Sequence, residues 1–215
     1  MKGGKLQVKA KLLQKAVGPW PMNTYIVICE DTQKSAIIDP GAEADTILGL
    51  TESTKVEAIL LTHGHGDHTM ALDEVKEWTD APVYLHPKEA AHFELSCDIS
   101  IQDDQLIQIG NHNLKVIHTP GHTPGQCCFD LGDGRIIVGD TIFVGGPGRT
   151  WSPQDFTVTM KTMQQIVFKW PDDTEFFPGH GPIGKIGDER SAFESFLARG
   201  WSKDLEGDVI WKTGQ

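Results

Sequence analysis

The run Thr62-His63-Gly64-His65-Gly66-Asp67-His68 sets three imidazoles and a carboxylate within six consecutive positions. Neutral imidazole and ionised carboxylate are the side chains that hold a divalent transition metal at neutral pH. So many donors packed so closely cannot all reach one ion. Some must face one side of a turn and the rest the other, which predicts two adjacent cations. Three further segments share one pattern, a His or Asp just past an apolar strand in a glycine-rich turn. They are His122 in Thr119-Pro120-Gly121-His122-Thr123-Pro124-Gly125, Asp140 in Val138-Gly139-Asp140-Thr141, and His180 in Phe177-Pro178-Gly179-His180-Gly181. Glycine beside a donor lets the backbone approach a crowded centre. Singly, each reads equally well as a turn histidine or a loop-opening Asp. With the first run they total five His and two Asp, enough for two metal sites with a shared carboxylate and space for water.

Those donors need elements to carry them. Tyr25–Cys29 and Ser35–Ile38 read as strands, the second ending at the turn signal Asp39-Pro40-Gly41. Ala42–Leu50 reads as a short helix, and Val56–Leu61 as an apolar strand running straight into the histidine cluster. Open α/β layers place their chemistry at such C-terminal strand ends. A helix over Thr69–Trp78, with Met70, Val75 and Trp78 as its apolar residues, a strand over Ala81–Leu85 and a helix over Pro87–Leu95 follow. Leu106–Ile109, Leu114–Ile117, Gln126–Leu131 and Arg135–Val138 then read as successive strands, and Thr141–Gln154 as a long Gly/Pro-containing loop. Asp155–Lys169 has helical spacing, Glu175–Phe177 is a strand, and a last helix over Asp188–Arg199 is capped by Asp188 and stopped by Gly200. Two runs of strands, each closed by helices, predict two similar halves packed sheet to sheet with helices outside.

Size and charge narrow the functions. The 215 residues, 39% of them hydrophobic, suit one domain with a sizeable core. The net charge of −11 argues against nucleic acid as a partner. No stretch approaches 18 apolar residues, so no membrane span is expected, and the basic segment Met1–Lys15 lacks the apolar run of a signal peptide. Four cysteines without a C-x-x-C pair fit a reducing cytosol. Cys127 and Cys128 read as half-buried strand residues.

The H-x-H-x-D-H run followed by an isolated His, Asp and His in that order resembles the metallo-β-lactamase superfamily over about residues 20–185. The resemblance implies an α/β, four-layer αββα sandwich with its metals at one edge, spanning residues 1–215 as a single domain with a C-terminal helical extension over 188–215. It implies one metal on His63, His65 and His122, a second on Asp67, His68 and His180, and Asp140 bridging both. Ligand type permits zinc, the expected metal, as well as iron or manganese. Thr119–Gly125 and Gly139-Asp140-Thr141-Ile142-Phe143, then Gly148-Arg149, are most similar to the glyoxalase II-like (hydroxyacylglutathione hydrolase-like) members. Those enzymes append a helical domain that grips glutathione. Only about 35 residues follow His180 here, so that grip is missing or rebuilt.

The chemistry implied is hydrolysis of a small acyl substrate, a thioester, ester or lactone, since two cations lower the pKa of a bridging water toward neutrality. Asp67 could also orient that water. Arg149 could bind an anionic substrate group or anchor its own loop by an ion pair, and Trp20, Met22 and Trp151 could wall the cleft or simply pack. His118 reads as a support for the His122 turn, and His86, His92 and His112 as surface residues. Three rivals stand beside the hydrolase: a mononuclear iron persulfide dioxygenase with the same motif order, a lactonase or β-lactamase, and a non-catalytic domain keeping the fold.

Overall fold

The computed structural model describes residues 9–211. Part of the basic segment Met1–Lys15 and the last residues of the expected C-terminal extension lie outside the described residues. The first half comprises β1 (Lys11–Val17), β2 (Met22–Cys29), β3 (Lys34–Ile38), α1 (Ala44–Gly49), β4 (Lys55–Leu60), α2 (Gly66–Thr69), α3 (Leu72–Thr79), β5 (Val83–Leu85), α4 (Pro87–Phe93) and β6 (Ile99–Ser100). Its six strands form one sheet in sequence order, antiparallel from β1 to β3 and parallel from β3 to β6. The second half holds β7 (Leu106–Ile109), β8 (His112–His118), β9 (Cys127–Asp130), β10 (Arg135–Gly139), a small hairpin of β11 (Ile142–Phe143) and β12 (Gly146–Pro147), α5 (Pro153–Gln165), β13 (Glu175–Pro178), β14 (Gly184–Lys185) and α6 (Ile186–Arg199). Its main sheet runs β14-β13-β10-β9-β8-β7.

Strand periodicity explains the layers. Along β2 every residue is buried, because both faces of the strand are covered. Tyr25 and Val27 point to one side, where they meet Ala36, Leu60, Leu114, Phe129 and Phe177 between the two sheets. Ile26 and Ile28 point to the other and pack with Ile37, Ile59, and with Ile47 and Val75 from α1 and α3. On the far side of the second sheet, Cys128, Ile136 and Val138 meet Phe156 and Met160 of α5 and Phe193 of α6. Helix, sheet, sheet, helix is the αββα sandwich expected from the sequence. Each fully buried side chain of this size is worth about 1.5–3 kcal/mol.

Several expectations are corrected. The helix read over Thr69–Trp78 is two helices, because the Ala71 N–H leaves the helical ladder to bond the Pro40 carbonyl at 3.0 Å. The buried face of α3 is Leu72 and Val75, while Met70 and Trp78 are exposed. Asp188 lies in the first turn of α6 and does not cap it. The helix starts earlier because the carbonyls of Thr174 and Asp172 take the Ile186 and Gly187 N–H groups. Gly200, with φ of 71°, does end it. Beyond it residues 201–211 form a strap and not a helix: Thr150 and Gly207 exchange backbone bonds of 3.2 and 3.0 Å, and the Trp211 N–H bonds the Gly145 carbonyl. The long loop Thr141–Gln154 contains the β11–β12 hairpin and the first turn of α5. His86 and His112 are buried rather than superficial, and Cys127 and Cys128 are wholly buried. Among the described residues no helix is long and apolar enough to cross a membrane.

Candidate metal centre

Four strand ends converge on one edge of the sandwich. The chain leaving β4 gives His63, His65, Asp67 and His68, with Gly66–Thr69 turning as α2 so that Asp67 and His68 group with His180 while His63 and His65 group with His122. The turn between β8 and β9 gives His122. β10 and β13 are parallel neighbours, so Asp140 and His180, each just past a strand end, arrive side by side. The Gly179 N–H bonds the Gly139 carbonyl at 2.8 Å, fixing that register. Gly179 has no alternative: a β-carbon there would collide with Asp140 Oδ1 and the His68 ring.

All seven predicted donors are brought together. His65 Nδ1 lies 3.0 Å from both His63 Nε2 and His122 Nε2. The edge of a tetrahedron with metal–nitrogen bonds of 2.0–2.1 Å is about 3.3 Å, so these three nitrogens have the spacing of ligands on one ion. Asp67, His68 and His180 form a second group, with His180 Nε2 3.1 Å from Asp67 Oδ2. Asp140 lies between: Oδ1 is 3.4 Å from His68 Nε2, and Oδ2 is 3.7 Å from His122 Nε2 and 3.8 Å from His180 Nε2. His68 Nε2 and Asp140 Oδ1 are buried without a hydrogen-bond partner. Leaving such atoms unsatisfied costs about 1–3 kcal/mol each, a cost that a cation between the two groups removes. The donor set therefore fits divalent metal.

The back atom of four of the five imidazoles is committed, which fixes the tautomer of each. His122 Nδ1 donates to the Arg149 carbonyl at 2.7 Å, and His180 Nδ1 lies 3.3 Å from the Pro21 carbonyl. His68 Nδ1 bonds Asp39 Oδ2 at 2.9 Å. The Thr62 hydroxyl donates to the same oxygen at 2.6 Å, so its lone pair must accept from His63 Nδ1 at 3.0 Å. Asp39 thus orients two candidate ligands, one directly and one through Thr62. Sequence reading saw in Asp39-Pro40-Gly41 only a turn. The missed signal is an Asp ending a buried strand beside the strand that carries the histidines. Its oxygen lies close enough to His63 and His68 to form a third possible donor group, but its bonds to Thr62 and His68 make it a support.

Electrostatics separate the two groups. Burial holds the imidazoles of His63 and His65 low, helped by neighbouring imidazoles, His65 to about 4. At His68 burial also opposes charge, but Asp140 and Asp39 on either side outweigh it and raise the ring to about 10. For Asp140, burial acts to raise the carboxyl, yet His68, His63 and His122 together hold it well below the usual carboxylate range. His180 donates to Asp67 and so lowers it; burial opposes charge on His180, but Asp67 and Asp140 raise it.

Beside the donors is a hollow of about 410 Å³ lined by His122, Asp140, Phe143, Arg149, His180 and Asp208. Arg149 Nη1 pairs with Asp208 of the strap at 3.0 Å, and its guanidinium sits 4.9 Å over the Trp151 ring. A smaller hollow of about 180 Å³ on the other side of His122 is walled by His65, His92, Trp151 and Asp155. Trp151 is exposed there, its ring 6.0 Å from that of His65. Met22 does not wall the cleft: it opens β2 and is buried in the helix-side core. Trp20 is exposed and lines neither hollow. His118 supports the His122 turn through the Pro124 carbonyl at 3.1 Å and stacks on His86, ring centroids 4.4 Å apart.

Residues 17–180 match the metallo-β-lactamase superfamily model. The chain belongs to the metallo-β-lactamase superfamily. It is 36% identical over 191 residues to the probable metallo-hydrolase YqgX of Bacillus subtilis (strain 168), covering 77% of this chain and 88% of that one. It is 29% identical over 186 residues to the hydroxyacylglutathione hydrolase GloC of Haemophilus influenzae, covering 76% and 88%. Among solved structures it resembles TTHA1623 in a di-iron-bound form, at 29% identity and a TM-score of 0.69, covering 83% of this chain and 96% of that one. A hydrolase-like enzyme of this superfamily is thus the class to which fold, site and relatives all point.

Proposed function

We propose that the chain is a single-domain binuclear metallohydrolase that cleaves a small acyl substrate, a thioester first of all, then an ester or lactone. One observation carries this reading: two donor groups of three residues flank Asp140, whose Oδ1 and the facing His68 Nε2 are buried without partners. His63, His65 and His122 would hold one ion, Asp67, His68 and His180 the other, and Asp140 would touch both. The donors suit zinc, and the likeness to a di-iron protein keeps iron, with manganese, among the candidates. When bound, such a pair supplies an activated water and a Lewis acid for the scissile carbonyl.

The chain's own residues do the rest. Asp140 is ionised in its pocket and spaces the two groups. Asp67, partly exposed beside His180, would orient the attacking water. Arg149 and Trp151 form the rim that receives an anionic group, with Asp208 as the counter-charge that the substrate displaces. The GloC likeness supports a hydroxyacyl thioester as the substrate. Four free cysteines support a cytosolic setting, and the acidic charge supports small molecules over nucleic acid as partners.

The test is elemental analysis of protein purified from its native host, then turnover of a panel of thioesters, lactones, β-lactams and glutathione persulfide with oxygen monitored. Two metals per chain and thioester hydrolysis are expected. One iron per chain with oxygen uptake on the persulfide overturns the hydrolase, and no metal after reconstitution overturns the site.

A further inference from the structure

Helix α4 contributes no metal donor, yet its third residue, Glu89, is wholly buried at the site. His86 caps the helix by accepting the Lys88 N–H at 3.2 Å, and Pro87 fixes its first turn. That start aims Glu89 into the gap between the two sheets. One carboxylate oxygen accepts the Gly64 N–H at 3.0 Å, and the other accepts the Gly125 N–H at 2.5 Å. Gly64 lies between His63 and His65. Gly125 closes the turn that carries His122. The two loops belong to different sheets.

The packing agrees with the hydrogen bonds. A β-carbon on Gly64 would strike the Phe93 ring of the same helix, and one on Gly125 would lie 2.7 Å from His86 Nδ1 and 2.9 Å from Glu89 Cγ. Both loops are therefore seated on α4 at glycines. One backbone bond, Cys127 N–H to the Thr62 carbonyl at 2.9 Å, joins the same two loops further back. That bond does not involve Glu89 and lies behind the loop tips that carry His65 and His122.

From this geometry we infer that Glu89 is a positioning residue that clamps the His63/His65 loop to the His122 loop, setting the spacing of the first metal group and not of the second. Asp67, His68 and His180 receive nothing from it. The inference rests on the ligand assignment proposed above.

The test is Zn²⁺ and Co²⁺ titration of metal-free Glu89→Gln against a chromophoric chelator, together with the visible spectrum of the Co²⁺-loaded protein. The amide keeps the shape but turns an NH₂ toward one backbone N–H. Supports of this kind set metal affinity by about 10- to 100-fold. One equivalent is expected to weaken by that factor, with a changed Co²⁺ spectrum, while the other keeps wild-type affinity. Two equivalents at wild-type affinity with an unchanged spectrum, or equal weakening of both, overturns the inference and leaves the metal assignment standing. Failure of the wild-type chain to bind metal removes the assignment itself. If Glu89→Gln does not fold, amide hydrogen exchange on the wild-type, metal-free protein decides. Gly64 and Gly125 are expected to exchange more slowly than the exposed Gly66, and exchange as fast as Gly66 overturns the clamp.

Discussion

Asp39→Asn isolates the chemistry of one buried carboxylate with little disturbance of shape. Asp39 is 1% exposed and holds a left-handed φ of 51°, which Asn adopts readily. Asn Oδ1 can still accept the Thr62 N–H, now 2.7 Å from Asp39 Oδ1. Its NH₂ must take the place of Oδ2, facing the Thr62 hydroxyl at 2.6 Å and His68 Nδ1 at 2.9 Å, both donors to the carboxylate. His68 must be neutral to bind metal, and the NH₂ beside Nδ1 then favours the tautomer with the proton on Nε2, the atom that faces Asp140, where it blocks the lone pair a metal needs. The reversed Thr62 hydroxyl undoes the His63 tautomer in the same way. The expected result is a 10- to 100-fold loss of metal affinity, about 1.4–2.7 kcal/mol. Loss of charge-assisted bonds lowers the stability of the metal-free chain by about 1.5–3 kcal/mol, roughly 3–12 °C in Tm for a chain of this size. Chelator competition and thermal denaturation read the two effects separately. Wild-type affinity for both equivalents beside a lowered Tm would refute the tautomer reasoning and leave Asp39 as a loop anchor.

Three further outcomes are expected. Asp140→Ala removes the one residue between the two groups and should lose bound metal and more than about 100-fold in turnover, beyond what loss of a mere support gives; metal content and kcat check this, and two retained metals with full activity would exclude a bridging role. Trp151→Ala, at an exposed side chain, removes the cation–π pair with Arg149 and should lower stability by about 0.5–1 kcal/mol, and it should raise KM if the ring walls the cleft; unchanged KM and kcat would remove it from the cleft. His86 is held low, to about 4 against an ordinary 6.5, by burial and then by His118 and Lys88. Its neutral form favours the fold, so that contribution is full above pH 6.5 and is lost as pH falls toward 4, by at most about 3 kcal/mol. His86→Asn keeps a helix-capping oxygen, and denaturation of the metal-free protein from pH 7 to 4 should show a flatter profile than wild type.

The sequence made the sandwich and the donor set legible because both depend on short-range pattern. Val56–Leu61 is apolar without alternation, which marks a strand covered on both faces, and the histidines follow it directly. What escaped depends on distant partners. β1 is an edge strand with Lys11 and Lys15 in it and mostly open positions, so it carries no period-two signal. Asp39 looks like any turn aspartate until Thr62 and His68 are folded against it. Met22 precedes an evident strand and reads as rim, yet it begins that strand and is buried. His86 and Glu89 sit in a polar-looking helix, and only the third dimension shows both facing inward.

Arg149 and its companion Asp208 are 59 positions apart in the chain, joined only because the terminal strap is stitched along the hairpin loop. On the function proposed above, the counter-charge at the rim and the donor set would be encoded in separable stretches. Exchange of residues 201–211 could retune which charged molecules are admitted while the seven donors stay as they are. Diversification of such a scaffold can therefore proceed from its tail, one rim at a time, under an unaltered inorganic engine.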